Sequence, residues 1–436
     1  MHDINQKILK MAKKMGFGDI VILSNENERK QVRFANGEIT ISKEWFERKT
    51  EIFVERDKKL AGTTITNYDT HHIENVLKNL YRLTENMEKR EDYYGIAEGP
   101  FKYEEIEEVY DSKIIDADPV DFIESAINAT GLERVAGVLY VDHPKIYLDT
   151  SNDVECYDEG TGIEISIRAF KDDLASGHAT HSSRVLSKFK PEKAGEKAGM
   201  IAKMVESPTT GEAGKYDVIF DPLAMGNLLS MVGMFTSVMA VEAGFSFLLN
   251  KLGKKVADGS FTLRDIGNLP NGYGTRKFDD EGVPTRNTKI IENGILKTYL
   301  LNYSYSKKYN LENTANAGVA MPRPWNLYVD PGDYSEVEIF DVPRAIYVTN
   351  IWYTRFQNYV SGDFSTIPRD GIFLVENGEI KKAIKNIRIS DNVLRMLMNV
   401  DAIGKHLEQI HWWEAEVPVH VPYIRIRDVG ITKATK

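Results

Sequence analysis

The stretch RKFDDEGVPTRNTKIIENGILKTYLL, residues 276–301, sets a compact acidic turn against a strand pair. Asp279, Asp280 and Glu281 crowd three carboxylates beside Gly282, and Val283-Pro284-Thr285 pins the exit through proline's fixed φ. Asn293-Gly294 then lies between the apolar runs Ile290-Ile291 and Ile295-Leu296, the pattern of a two-residue hairpin loop. An isolated acidic triplet of this kind reads as a solvated turn, so its meaning depends on what surrounds it.

Two more Asn-Gly pairs, Asn36-Gly37 and Asn377-Gly378, also separate strand-like runs. Their flanks differ, so they do not form a sequence repeat. At 436 residues the chain can bury a large core and has room for two or three domains. The formal net charge of -10, with basic and acidic residues interspersed, excludes a broad electrostatic footprint for nucleic acid. The single cysteine, Cys156, excludes an internal disulfide and fits a reducing cytoplasm, where it reads as a buried or incidental thiol. No signal-peptide pattern follows the amphipathic start, in which Ile4, Ile8, Met11 and Met15 share one helical face. Residues 223–241 are 19 uncharged positions, near a bilayer-spanning length, but Gly226, Asn227, Ser230 and Gly233 favour a buried helix in a soluble core.

Periodicity predicts a helix over 3–15, strands at 20–23, 31–34, 39–42, 50–55 and 60–66, and a helix capped by Asp69 that runs to about Thr84. A tyrosine-rich, acidic connector over 90–111 follows. Next come a helix at 119–130, strands at 135–143, 145–150 and 162–170, and a helix at 191–206. Residues 176–183 read as a loop or strand end. The third unit begins with a strand at 216–220 and continues through the uncharged helix, the acidic turn and its hairpin. It then has a strand pair at 371–375 and 379–384, a short helix at 394–400, and tail strands over 417–429 interrupted by Pro418 and Pro422. The expected class is α+β, with antiparallel sheets flanked by helices in an N-terminal unit (1–105), a middle unit (106–211) and a larger β-rich unit (212–436) holding the buried helix 223–241.

The order of motifs along nearly the whole chain resembles the TldD/PmbA family, the "modulator of DNA gyrase" proteins regarded as peptidases. The resemblance is carried by Arg33-Phe34-Ala35-Asn36-Gly37-Glu38, Ser151-Asn152, Arg168-Ala169-Phe170, Leu252-Gly253-Lys254-Lys255-Val256, the acidic turn from Phe278 to Thr285, Ile291-Glu292-Asn293-Gly294-Ile295-Leu296, Ser361-Gly362-Asp363-Phe364-Ser365 and Val375-Glu376-Asn377-Gly378-Glu379-Ile380. The TldD branch carries an HExxxH zinc motif, two ligands and a base for the metal-bound water. Counting back without gaps from Leu252, that motif falls on 229–234, where Leu229, Ser230 and Met234 stand in place of its two histidines and glutamate. The resemblance therefore points to the other branch, TldE or PmbA. It implies no metal in this chain, zinc in a TldD-type partner, and a role as chamber wall that binds extended, unfolded peptides, with Asp279, Asp280, Glu281, Gly282 and Thr285 as peptide-binding or structural turn residues. Ile410-His411-Trp412-Trp413-Glu414 departs from the family's small, glycine-rich stretch at this point.

Two other classes compete. Nine histidines are present, and His406 or His411 combined with Asp279, Asp280 or Glu281 would make the chain a metallohydrolase in its own right, as a homodimer. His178 and His181, three apart, suit one face of a helix but not a strand. A non-enzymatic modulator or adaptor is the third reading.

Overall fold

The polar runs SNENERK (24–30) and KEWFERK (43–49) do not end the strands beside them. In the computed structural model, which describes residues 1–433, β1 (Ile20–Ala35) and β2 (Glu38–Arg56) are single strands, each expected as two. Their ladder runs from Ile20 opposite Val54 to Ala35 opposite Glu38, with one bulge at Thr40 where the partner of Arg33 is Ile41 and that of Phe34 is Ile39. After β3 (Lys59–Ile65), β4 (Arg134–Thr150) pairs with β1 on its other side over nearly its whole length, again merging two expected strands. A strand hydrogen-bonded on both sides keeps its extended form without apolar alternation, so the interruption reports what the side chains face and not a break in the backbone.

β5 (Glu155–Glu159), β6 (Gly162–Phe170) and β7 (Ser176–Ser183) complete a seven-stranded antiparallel sheet in the order β3-β2-β1-β4-β6-β7, with β5 on β4. Residues 176–183 are thus a strand throughout. The sheet runs across the 105/106 junction, while its two ends keep separate apolar clusters. One lies under α1 (His2–Lys14) and α2 (Thr70–Asn86) and includes Ile8, Ile22, Ile52 and Leu77. The other joins β4, β6 and β7 to α4 (Pro119–Thr130) and α5 (Pro191–Met204), beyond the short α3 (Ser112–Asp116). Asp69 caps α2 as expected, accepting from the backbone N–H of His71 (2.9 Å) and His72 (3.2 Å). Asp69→Ala should therefore lower stability by about 1 kcal/mol in a urea titration, whereas Asp69→Ser should cost little.

Beyond residue 208 the chain builds two further sheets. β8 (Thr209–Thr210), β9 (Gly214–Phe220), β14 (Arg344–Asn358), β15 (Asp363–Glu376), β16 (Glu379–Lys385), β17 (Ile387–Asn392), β18 (Val400–Ile403) and β21 (Ile424–Lys433) form an eight-stranded mixed sheet. β10 (Leu263–Ile266), β11 (Asn287–Glu292), β12 (Ile295–Leu296), β13 (Leu327–Val329), β19 (Glu408–Trp412) and β20 (Ala415–Val421) form a six-stranded one. All three Asn-Gly pairs adopt left-handed backbone at both positions, φ 48–53° at Asn and 77–80° at Gly, as a hairpin whose twist matches its strands requires.

The expected helix 223–241 is two helices, α6 (Pro222–Met234) and α7 (Val238–Glu242). The break has a local cause and a distant one. Thr236 Oγ1 donates back to Gly233 O (2.6 Å), and Ser237 bridges to Leu300, whose N–H donates to Thr236 O (2.9 Å). Pairing with residues beyond the acidic turn thus draws the chain out of the helix. α6 is buried almost all round between the two sheets, where Leu223, Leu228 and Val232 pack in the largest apolar cluster with Phe220, Phe364 and Trp412. Among the described residues no helix is long and apolar enough to cross a membrane. The class is α+β, as expected.

Candidate functional site

The acidic turn is not solvated: Asp279, Asp280 and Glu281 are 0%, 3% and 7% exposed. Each carboxylate holds a different piece of backbone. Asp279 accepts from Glu281 N (3.0 Å) and Val283 N (2.9 Å) within the turn, and from Ala317 N (3.0 Å) across it. Asp280 accepts from Val319 N (3.1 Å), while Glu281 accepts from Tyr303 N (3.1 Å). The turn therefore anchors the loop 313–323 and the start of α8 (Tyr303–Tyr309). Gly282 sits at φ +86°, and a Cβ there would lie 2.4 Å from Val154 Cγ1. Thr285 closes the base by donating its hydroxyl to Arg276 O. Burial pushes the Asp279 carboxyl up to about 7 and the Glu281 carboxyl well above the usual range, the latter also through the charge of Asp279.

Asp280 and Glu281 reach a trough between the seven-stranded sheet and the C-terminal region. Its first part, about 520 Å³, is bounded by residues 61–64 of β3, Tyr93, Asp280, Glu281 and Val319. A second part of about 370 Å³ shares Glu51, Asp280 and Val319 with it and takes in Asn25, Glu26 and Glu47. These are members of the polar runs in β1 and β2, which explains why alternation stops there. The third part, about 400 Å³, shares Pro144 and Arg323 with the second and is lined by Tyr273, Arg276, Trp325 and Met234. Asp279, Gly282 and Thr285 support the turn from behind and do not line the trough.

The positions onto which the family resemblance maps the zinc motif separate on α6. Leu229 is in the core at 1% exposed, Ser230 Oγ accepts from Val417 N (3.0 Å), and Met234, 39% exposed, lines the third part of the trough. Neither histidine of the rival metal site meets the acidic turn. His406 is exposed, and His411 Nδ1 lies 2.7 Å from Glu164 with its ring stacked on Tyr273 at 4.1 Å. The one group of three potential ligand side chains among the described residues is His2, Asp149 and Glu155, where His2 already bonds Asp149 and Gln6 donates to both carboxylates. His178 and His181 do not act together: His178 is buried against Ser166 and Asn350, and burial pushes both rings down to about 4. The Cys156 thiol is buried and pushed up to about 12.

Sequence reading missed Tyr93, Tyr273, Arg276, Trp325 and the loop 313–323 as parts of the site. The available signals were the unexplained polar runs in β1 and β2 and the Asn-rich segment ENTANAG, residues 312–318.

Comparison with known proteins agrees with this architecture. The whole chain superposes on a Thermotoga maritima protein described as a modulator of a DNA gyrase, with TM-score 0.84, 24% identity, and 99% of this chain and 100% of that one covered. It superposes likewise on TldE from Thermococcus kodakarensis, with TM-score 0.84, 20% identity and coverage of 98% and 100%. At those identities the likeness establishes the fold. In sequence, 206 residues are 33% identical to a metalloprotease of Methanocaldococcus jannaschii, 45% of this chain and 44% of that protein. A zinc metalloprotease TldD homologue of Saccharolobus solfataricus is 32% identical over 211 residues, 45% of each chain. The matches thus span about half the length of these curated relatives. Residues 213–433, just over half of the chain, match the PmbA/TldA metallopeptidase C-terminal domain, and the chain belongs to that family.

Proposed function

We propose that this chain is the non-zinc, TldE/PmbA-type subunit of a cytoplasmic TldD/TldE-type metallopeptidase complex that cleaves small unfolded peptides. The observation that carries this reading is the replacement of the zinc motif on an intact α6, where Leu229 packs in the core, Ser230 holds the backbone of Val417, and only Met234 reaches the trough. Neither leucine nor methionine is a hard ligand for zinc, so the metal, its activated water and the peptide-bond chemistry belong to a TldD-type partner. This chain contributes wall and peptide-binding surface.

The trough suits an extended peptide. β3 is the outermost strand of its sheet, and its residues 61–64 border the largest part of the trough. An added peptide strand would bond to that edge through its main chain, which selects for unfolded substrates more than for particular side chains. Opposite it, the loop 313–323 is held in place by the buried carboxylates of Asp279 and Asp280.

Co-expression with a TldD-type chain should yield a stable complex with peptidase activity that neither chain shows alone. Elemental analysis should find about one zinc per complex and none in this chain purified without a histidine tag. Failure of the two chains to associate, or stoichiometric metal in this chain alone, would sink the assignment.

A further inference from the structure

Arg276 is 8% exposed and lines the third part of the trough, yet its guanidinium makes no hydrogen bond to any described residue. Nη1 approaches Asp280 Oδ1 to 2.8 Å, but the pair is out of line and that oxygen accepts no hydrogen bond. Nε and Nη2 have no acceptor and are themselves shut off from solvent, so a ligand in the trough reaches them only if the guanidinium turns. The neighbouring carboxylate of Asp158 is engaged elsewhere, by Lys277 N at 2.9 Å. A buried arginine with unused donors is costly unless something supplies acceptors.

The unused edge is the one that this chain employs elsewhere to grip carboxylates. Arg264 binds Asp330 through Nε (2.6 Å) and Nη2 (2.7 Å), Arg425 binds Asp401 through the same two atoms at 3.1 Å each, and Arg395 holds Asp391 likewise. Two parallel N–H donors match the two oxygens of one carboxylate. The position is braced as well. The Arg276 guanidinium lies 4.6 Å from the centre of the Trp325 ring, and the half-exposed Arg323 lies 5.0 Å from the same ring. Asp142, Asp158 and Glu416 line the same part of the trough, so a singly charged carboxylate fits there better than a doubly charged phosphate.

We propose that Arg276, braced by Trp325 and assisted by Arg323, is a carboxylate-binding residue that fixes one end of a bound peptide in the part of the trough beside Met234. The inference rests on the peptide-binding reading above. On binding, the guanidinium turns its Nε/Nη2 edge to the ligand and gives up the approach of Nη1 to Asp280. Arg276 would set peptide register and so act as a positioning residue, without touching the scissile bond.

The test uses calorimetry on the full chain, alone and with its TldD-type partner, and three unstructured pentapeptides: one with a free C-terminus, its C-terminal amide, and the amide carrying one internal glutamate. The free acid should bind about tenfold more tightly than the amide, as expected for one charge-assisted bidentate contact. Recovery of affinity by the glutamate peptide would show that the position takes any carboxylate and would overturn its assignment to a peptide end; no recovery would support that assignment. Arg276→Lys, which keeps the charge but loses the fork, should narrow the difference between acid and amide. Equal binding of acid and amide by the wild-type chain overturns this inference and leaves the peptide-binding reading intact, and that comparison needs no variant. Binding of none of the three peptides overturns both.

Discussion

Asp279→Ala is expected to lower the free energy of unfolding by roughly 3–6 kcal/mol, because it strands three buried N–H groups at a cost of about 1–3 kcal/mol each. Those donors are Glu281 N, Val283 N and Ala317 N, all within 3.0 Å of the carboxylate oxygens, and the side chain itself has no exposure to water. The loss is not confined to stability. Ala317 begins the stretch whose next residues, Gly318, Val319 and Ala320, border two parts of the trough, so the variant should also bind peptide poorly. Near pH 4, Asp279→Asn should fall between the wild type and Asp279→Ala, since it keeps an acceptor for the two N–H groups inside the turn but turns an NH₂ toward Ala317 N. Urea denaturation followed by circular dichroism measures the effect. A loss of under about 1 kcal/mol for Asp279→Ala would mean that the turn is not a structural anchor.

Stability should fall as pH rises through the slightly acidic range, opposite to the usual behaviour of ion-paired carboxylates. Burial raises the Asp279 carboxyl from its ordinary value of 3.8 to about 7 in the folded chain. The folded state therefore binds this proton more tightly than the unfolded state does. The stabilisation is fully present below the unfolded value and is lost as pH climbs from about 4 through 7. The Glu281 carboxyl, raised by the same burial and by the charge of Asp279, adds a loss of the same sign at higher pH. Groups that Asp279 does not touch cancel when the wild type is compared with Asp279→Asn, while Glu281 loses the part of its rise that the Asp279 charge causes. The asparagine variant should be the less stable of the two near pH 4 and should overtake or equal the wild type by pH 8. A difference that stays constant across that range would show that Asp279 does not titrate there.

Much of the fold was legible because its signals are local. Asp69 caps its helix, Asn-Gly takes left-handed backbone in all three hairpins, and the 119–130 and 191–206 helices appear with their ends nearly where periodicity put them. The long strands were legible only in part. Alternation in β1 and β2 stops where side chains line the trough, and their continuity depends on partners as far away as β4. The same limit applies to the helix 223–241. Nothing in its composition announces that Leu300 will pair with residues 236 and 237 and end it.

At the site the division is sharper. The sequence by itself placed Leu229, Ser230 and Met234 at the positions where the family resemblance expects a zinc motif, because residue types can be read without a fold, and it singled out the acidic turn from the crowding of three carboxylates beside one glycine. Only the tertiary structure decided that those carboxylates are buried and that each holds a separate piece of backbone, that His411 faces Glu164 instead of the turn, and that Arg276 is left with unused donors beside the trough. Burial and hydrogen-bond partnership are set by segments far away in the chain, such as the loop 313–323 and β6, and no local pattern encodes which distant segment will arrive.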